Sequence, residues 1–231
     1  MPKLRDKSLS VQDTIHLLAK LRTRLVTPSN LVALGSEIAC RGHLVEVLKQ
    51  FEKAKHGLTY RSIDNKDKQN YTSIPLLVSQ GVEDCLNELD PKLKTTGTRV
   101  YLRVMRDIRD AFFNKTLSPL GRLYLIWKTV FIFRIWRSWL SKNGYSEEDH
   151  FITSNAYTCV ELNGHMMANL VFNVAQGIFP PESMRTWLAG SQACEQLFRL
   201  LRSMTPTFST MINFSLKGIM EKIHKLHYIS A

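Results

Sequence analysis

The sequence is poor in the features that mark metal modules, nucleotide folds and membrane proteins. Its 231 residues include only four cysteines, Cys40, Cys85, Cys159 and Cys194, and no two form a C-x-x-C pair. No histidine stands at zinc-finger spacing from a cysteine pair, which excludes the common structural zinc modules. Scattered single cysteines pack as small hydrophobes in a reducing compartment, so a nuclear or cytoplasmic location is expected. Neither a G-x-x-x-x-G-K-[ST] loop nor a G-x-G-x-x-G is present, and no residue is assigned to a nucleotide cofactor. Met1 to Ser10 is charged and lacks an apolar h-region, so no secretory leader is expected. The glycosylation triplets at Asn70, Asn114 and Asn213 then read as chance matches. The densest apolar run, Leu120 to Leu140, carries Arg122, Lys128, Arg134 and Arg137. Each cation at a bilayer centre costs about 2.5–3.5 kcal/mol, so this run reads as a buried helix with a basic edge and no membrane partner is expected. Strand signals are nearly absent, since no long alternating run and no Asn-Gly hairpin turn join β-rich segments. There is no internal repeat and no low-complexity segment.

What is present is core-forming material and positive charge. Hydrophobic residues make up 44% and aromatics 10%, enough for a sizeable core. The 31 Lys and Arg exceed the 20 Asp and Glu, leaving a net +11 that attracts polyanions. Nucleic acid is the first such partner to consider and anionic membrane the competing one. The hydrophobic period is helical along most of the chain, which predicts a mainly α, multi-helix bundle. The predicted helices are Val11 to Val26, ended by Thr27-Pro28, and about Leu31 to Lys55, ended by Gly57. Residues 57–72 are the best loop. Further helices are predicted over Ser73 to Leu89, Thr98 to Asn114 and a fifth opened by Ser118-Pro119 and closed near Asn143-Gly144. The last three span about Ser154 to Gln176, Met184 to Met204 and Ser209 to Tyr228.

Two polar stripes stand out. In the first helix Asp13, His16, Lys20 and Arg24 fall at i, i+3, i+7 and i+11, on one face. A carboxylate in the first turn can hold a divalent metal, while the cations behind it track a phosphate backbone. The same stripe is equally a capping Asp on a solvated charged face. Near the C-terminus Gln192, Glu195, Arg199 and Arg202 repeat the arrangement, an acid leading two cations, with Cys194, Leu197, Phe198, Leu201 and Met204 opposite. Here the alternative is a plain Glu195–Arg199 intrahelical pair. Two-metal phosphodiester chemistry needs carboxylates converging from distant parts of a chain, which Asp13 and Glu195 would supply.

The segment Asp13-Thr-Ile-His16-Leu-Leu-Ala-Lys20-Leu-Arg22-Thr resembles the D-x-x-H…K-x-x-R-N block of P element-like DNA transposases. One extra residue separates His16 from Lys20, and Thr23 stands where Asn is usual. Ser191-Gln-Ala-Cys-Glu195-Gln-Leu-Phe198 is similar to that family's N-Q-x-x-x-E-x-F-F helix, and to the S-x-x-x-E-R-x-F block of hAT transposases. The resemblance implies an RNase H-like core with an acidic triad, in which Asp13 is the second acid and Glu195 the third. It implies Mg²⁺ or Mn²⁺ at Asp13 and Glu195, and DNA contacts from His16, Lys20, Arg24, Arg199 and Arg202. By the same resemblance residues 1–29 carry the second acid, 30–182 form a helical insertion lobe and 183–231 carry the third acid. The first acid and the central strands would lie upstream of Asp13, so the expectation is an incomplete or domesticated fragment. The competing expectation is a non-enzymatic helical module that binds DNA or a protein. The partners expected are DNA and a second copy of the chain.

Other features have structural alternatives. Glu161 and His165, at i and i+4, can hold a metal or join a polar network. Arg99, Arg103, Arg106, Lys115, Lys128, Arg134 and Arg137, interleaved with Trp127, Trp136 and Trp139, can contact nucleic acid or line a buried tryptophan face. The last helix, with Lys217, Lys222, His224, Lys225 and His227 opposite Ile212, Leu216, Ile219, Met220 and Ile223, can pair with a partner or close its own bundle.

Overall fold

A computed structural model describes residues 11–68 and 70–191 and, beyond them, only Glu195, Lys217 and Met220. The chain forms two compact units, Met1–Ala189 and Gly190–Ala231. The first is mainly helical. Helix α1 (Thr14–Val26) is capped by Asp13, whose Oδ1 accepts from the N–H of Ile15 at 2.8 Å and of His16 at 3.3 Å. It buries Leu17, Leu18, Leu21, Leu25 and Val26 and stops at Thr27, ahead of Pro28.

The predicted helix over 31–55 is replaced by four shorter elements. Strands β1 (Val32–Leu34) and β2 (Glu37–Ala39) make an antiparallel hairpin, with Val32 opposite Ala39 and Leu34 opposite Glu37. Gly35 turns it at φ +63°, a left-handed conformation that glycine takes without a Cβ penalty. Helices α2 (Arg41–Gln50) and α3 (Lys53–His56) follow, and Gly57 ends α3 as expected, also in the left-handed region. The predicted loop 57–72 contains a 3₁₀ turn at Tyr60–Ile63. The helix predicted from Ser73 breaks at Val78-Ser79 into α4 (Ser73–Leu77) and α5 (Gln80–Leu93), because the Ser79 hydroxyl caps a new helix at the N–H of Val82.

Helices α6 (Thr96–Phe113), α7 (Pro119–Lys142) and α9 (Ser154–Ala175), with the short α8 (Glu147–His150) between the last two, complete the bundle. The Ser118 hydroxyl caps α7 at Gly121 and Pro119 occupies its first turn, as the dipeptide predicts. Helix α7 packs on α6 and α9, and α1 packs on α6 and α9 in turn. Between them lies one core that includes Leu21, Met105, Ile108, Phe112, Val130, Phe133 and Met167. Trp136 is buried in it, its indole donating to the Ala33 carbonyl at 2.5 Å, which ties the hairpin to α7. Among the described residues no helix is long and apolar enough to cross a membrane. After α9, residues 181–188 form two 3₁₀ turns in place of the start of the predicted helix from Met184. The remainder of that helix and the one predicted over Ser209 to Tyr228 lie outside the described residues.

Candidate functional site

The four residues of the α1 stripe open on one cleft. Asp13, His16, Lys20 and Arg24 line a recess of about 630 Å³, together with Gln12, Thr23, Lys68, Tyr71 and Thr153. Helix α1 forms one wall, the start of α9 a second and the 64–72 loop a third. Each wall is fixed by particular bonds. The side chain of Asn163, buried in α9, closes both backbone groups of Gln12: the Gln12 N–H donates to Oδ1 at 2.9 Å and Nδ2 donates to the Gln12 carbonyl at 3.0 Å. The loop is held by Arg22, fully buried at 0% exposure. Its guanidinium donates to the carbonyls of Ser62, Asp64 and Asp67 at 2.8–3.2 Å. Burial lowers the Arg22 pKa from its ordinary value, an effect opposed by the nearby charges of Asp67 and Asp64. Arg22, a cation of the transposase-like block, therefore organises the site and does not face into it.

Inside the cleft the stripe residues keep specific company. The Tyr71 hydroxyl lies 3.0 Å from His16 Nδ1, with the two rings edge to face. Lys20 donates to the side-chain oxygen of Asn155 at the start of α9. Arg24 donates from Nη2 to the Glu148 carbonyl at 2.6 Å, while its Nε is buried without a hydrogen-bond partner. Lys20, Arg24 and Lys68 thus share the recess with the single carboxylate Asp13.

Among the described residues the cleft offers a divalent metal one carboxylate, that of Asp13. Oδ1 of Asp13 is engaged as the α1 cap, and the neighbouring charges are cations that oppose a metal ion. Among the described residues no three His, Cys, Asp or Glu side chains are grouped as a metal site. Glu195 belongs to the second unit. There its N–H donates to the Ser191 carbonyl at 2.8 Å and its Oε1 accepts from the Ser191 hydroxyl at 2.5 Å. Arg199 and Arg202 lie outside the described residues, as do Gln192, Cys194, Lys222, His224, Lys225 and His227.

Several other cations are held by acids. Glu161 accepts both guanidinium arms of Arg134, at 2.8 and 2.6 Å, and the Tyr157 hydroxyl at 2.7 Å, so it sits in a polar network. The Arg134 hydrogen bonds hold its carboxyl below the usual range. His165 packs edge to face on Trp127 at 5.2 Å. Buried Glu83 pairs with Arg103 and with Arg106, Asp90 with Arg99, Asp107 with Lys128 and Glu147 with Arg137. Arg122, 2% exposed, donates to the carbonyls of Ala111 and Asn114. These cations of α6 and α7 are structural, and in the α1 cleft three cations face one carboxylate.

Two cleft residues, Lys68 and Tyr71, escaped the sequence reading because they sit in a loop without period. The signal that leads to them is Arg22, which interrupts the apolar face Leu18, Leu21, Leu25. A charged residue on such a face needs buried acceptors, and a polar loop supplies them. No family model, curated protein or solved structure matches this chain.

Proposed function

We propose that this chain is a non-enzymatic helical module that binds DNA, gripping the phosphate backbone in the α1 cleft. The observation that carries the reading is the convergence on one recess of Lys20 and Arg24 from α1 and Lys68 from the loop. The net charge of +11 supplies long-range attraction and the cleft supplies the contact. Titrating labelled DNA into wild type and into the Lys20→Gln/Lys68→Gln variant tests it. Binding should weaken at least about tenfold in the variant, and equal binding would overturn the reading.

A second reading, metal-assisted DNA cleavage and strand transfer by a transposase-derived fragment, is favoured by the order and separation of the Asp13 and Glu195 blocks. It predicts Mg²⁺ or Mn²⁺ binding lost in Asp13→Ala and in Glu195→Ala, read by calorimetry. Titrations without acid-dependent heat would remove it. Self-association is supported by the exposed apolar row Leu120, Tyr124, Phe131 and Ile135 along α7, and sedimentation velocity tests it.

A further inference from the structure

The cleft continues past Arg24. A second recess of about 640 Å³ adjoins it, and Arg24 and Thr153 line both. Tyr71 stands in the first and Tyr157 in the second. Each volume falls within the roughly 300–1,000 Å³ of sites that enclose one small organic ligand. Resting on the reading of the cleft as a phosphate-gripping site, we infer that the two recesses take successive nucleotides of a single strand, with the connecting phosphate at Arg24.

Shape argues for a single strand. Duplex recognition usually sends a protruding helix or ribbon into a groove of the DNA. Here the cations line two adjoining recesses, which splayed-out bases of a single strand can enter one by one and stacked base pairs cannot. Charge divides the recesses in the same sense. In the first recess three cations, Lys20, Arg24 and Lys68, face the one carboxylate of Asp13. In the second, Arg24 and Arg137 are balanced by Glu147 and Glu148. The first suits phosphate and the second suits an uncharged base.

The junction is built for the link between them. Arg24 spends Nη2 on the Glu148 carbonyl and leaves Nε sealed without an acceptor. A small rotation toward a phosphate gives Nε and an Nη an acceptor each, the two-pronged pairing that guanidinium geometry favours. Thr153, the other shared residue, caps the 22-residue helix α9, whose positive end adds to the same field. In the second recess Arg137 lies 5.0 Å over the Tyr157 ring, offering its guanidinium plane to a stacking base.

Fluorescence anisotropy on the full chain tests this, with one labelled 15-mer presented as single-stranded DNA, as single-stranded RNA and as blunt DNA duplex at equal salt. The single strands should bind at least about tenfold tighter than the duplex. A preference between DNA and RNA identifies the source of the strand, and equal affinity means that the shared phosphate and base chemistry suffices. Arg24→Lys keeps the charge and loses the fork, and should weaken single strands about fivefold or more while leaving the duplex within twofold. Because Arg24 also ties α1 to Glu148, Tyr71→Ala provides an independent arm, with a loss of about fivefold or more on single strands. Circular dichroism and a thermal melt show that each variant is folded. Duplex binding as tight as single-strand binding, still dependent on Lys20 and Lys68, would overturn the inference and leave the phosphate-gripping cleft standing. Binding of none of the three at low salt would overturn both.

Discussion

Asn163 and Gln12, 151 positions apart in the chain, exchange two hydrogen bonds of 2.9 and 3.0 Å between the Asn163 amide and the Gln12 backbone. The bond pair sets the start of α1 against α9, one residue before Asp13. The cleft therefore depends on a buried amide that contacts nothing in it. Asn163→Leu leaves the Gln12 N–H and carbonyl without their partner in a partly buried seam, each worth about 1–3 kcal/mol. Chemical denaturation should show a loss of about 2 kcal/mol or more, with nucleic-acid affinity falling in the same variant. A stability unchanged within about 0.5 kcal/mol, the scale of a neutral surface substitution, contradicts this role.

Arg22 makes the 64–72 wall by the same logic. It is buried and donates to three loop carbonyls. Arg22→Met keeps an unbranched apolar stem and removes every side-chain donor. The variant should lose about 3 kcal/mol or more, and limited proteolysis should cut first within residues 57–72. Cleavage starting elsewhere would show that the loop is held by other contacts.

Gly97 lies where the hairpin meets α6. A Cβ built there would stand 2.6 Å from the carbonyl carbon of Ile38, a backbone atom that cannot rotate away. Gly97→Ala normally favours a helix, by about 1 kcal/mol. Here the melting temperature should fall, because the hairpin must shift off α6. A rise in melting temperature would mean that the contact is loose.

Two carboxylates give stability opposite dependences on pH. Glu161 is held below its ordinary pKa, chiefly by Arg134. Its contribution is complete above the unfolded value and is lost as pH falls through the folded one. Glu161→Gln should therefore be less stable than wild type near neutral pH, with the gap closing in acid. Asp107 is raised by burial, which outweighs its 2.6 Å pair with Lys128. Its protonated form is the one the fold favours, so stability is lost as pH rises through the folded value. Asp107→Asn mimics that form and should equal or exceed wild type at neutral pH. Denaturation curves across pH distinguish the two signs.

The sequence made some of this visible and hid the rest for identifiable reasons. Helix α7 was readable at both ends because Ser118-Pro119 and Asn143-Gly144 are strong local signals. The stripe from Asp13 to Arg24 was readable because helical period puts its members on one face. The hairpin was hidden because its strands have three residues each, too few for alternation to register. The turn Gly35-Ser36 is itself a two-residue hairpin signal, but without alternation on either side it had no strands to join. The break at Ser79 was hidden because apolar residues continue on both sides of it, Leu77 and Val78 before and Val82 after. The third wall of the cleft was hidden because a loop has no period. Only the burial of Arg22 connects its sequence to α1.

The most direct measurement of the cleft's role is the salt dependence of binding to a single-stranded DNA oligomer. Each phosphate contact contributes a slope of about −0.7 in log affinity against log salt for a single strand. Lys20→Gln, Lys68→Gln and Arg24→Gln should each make the slope shallower by roughly that amount, and the triple variant by the sum of the three. A triple variant that remains folded and keeps the wild-type slope would show that the phosphates are held elsewhere, and would contradict the account.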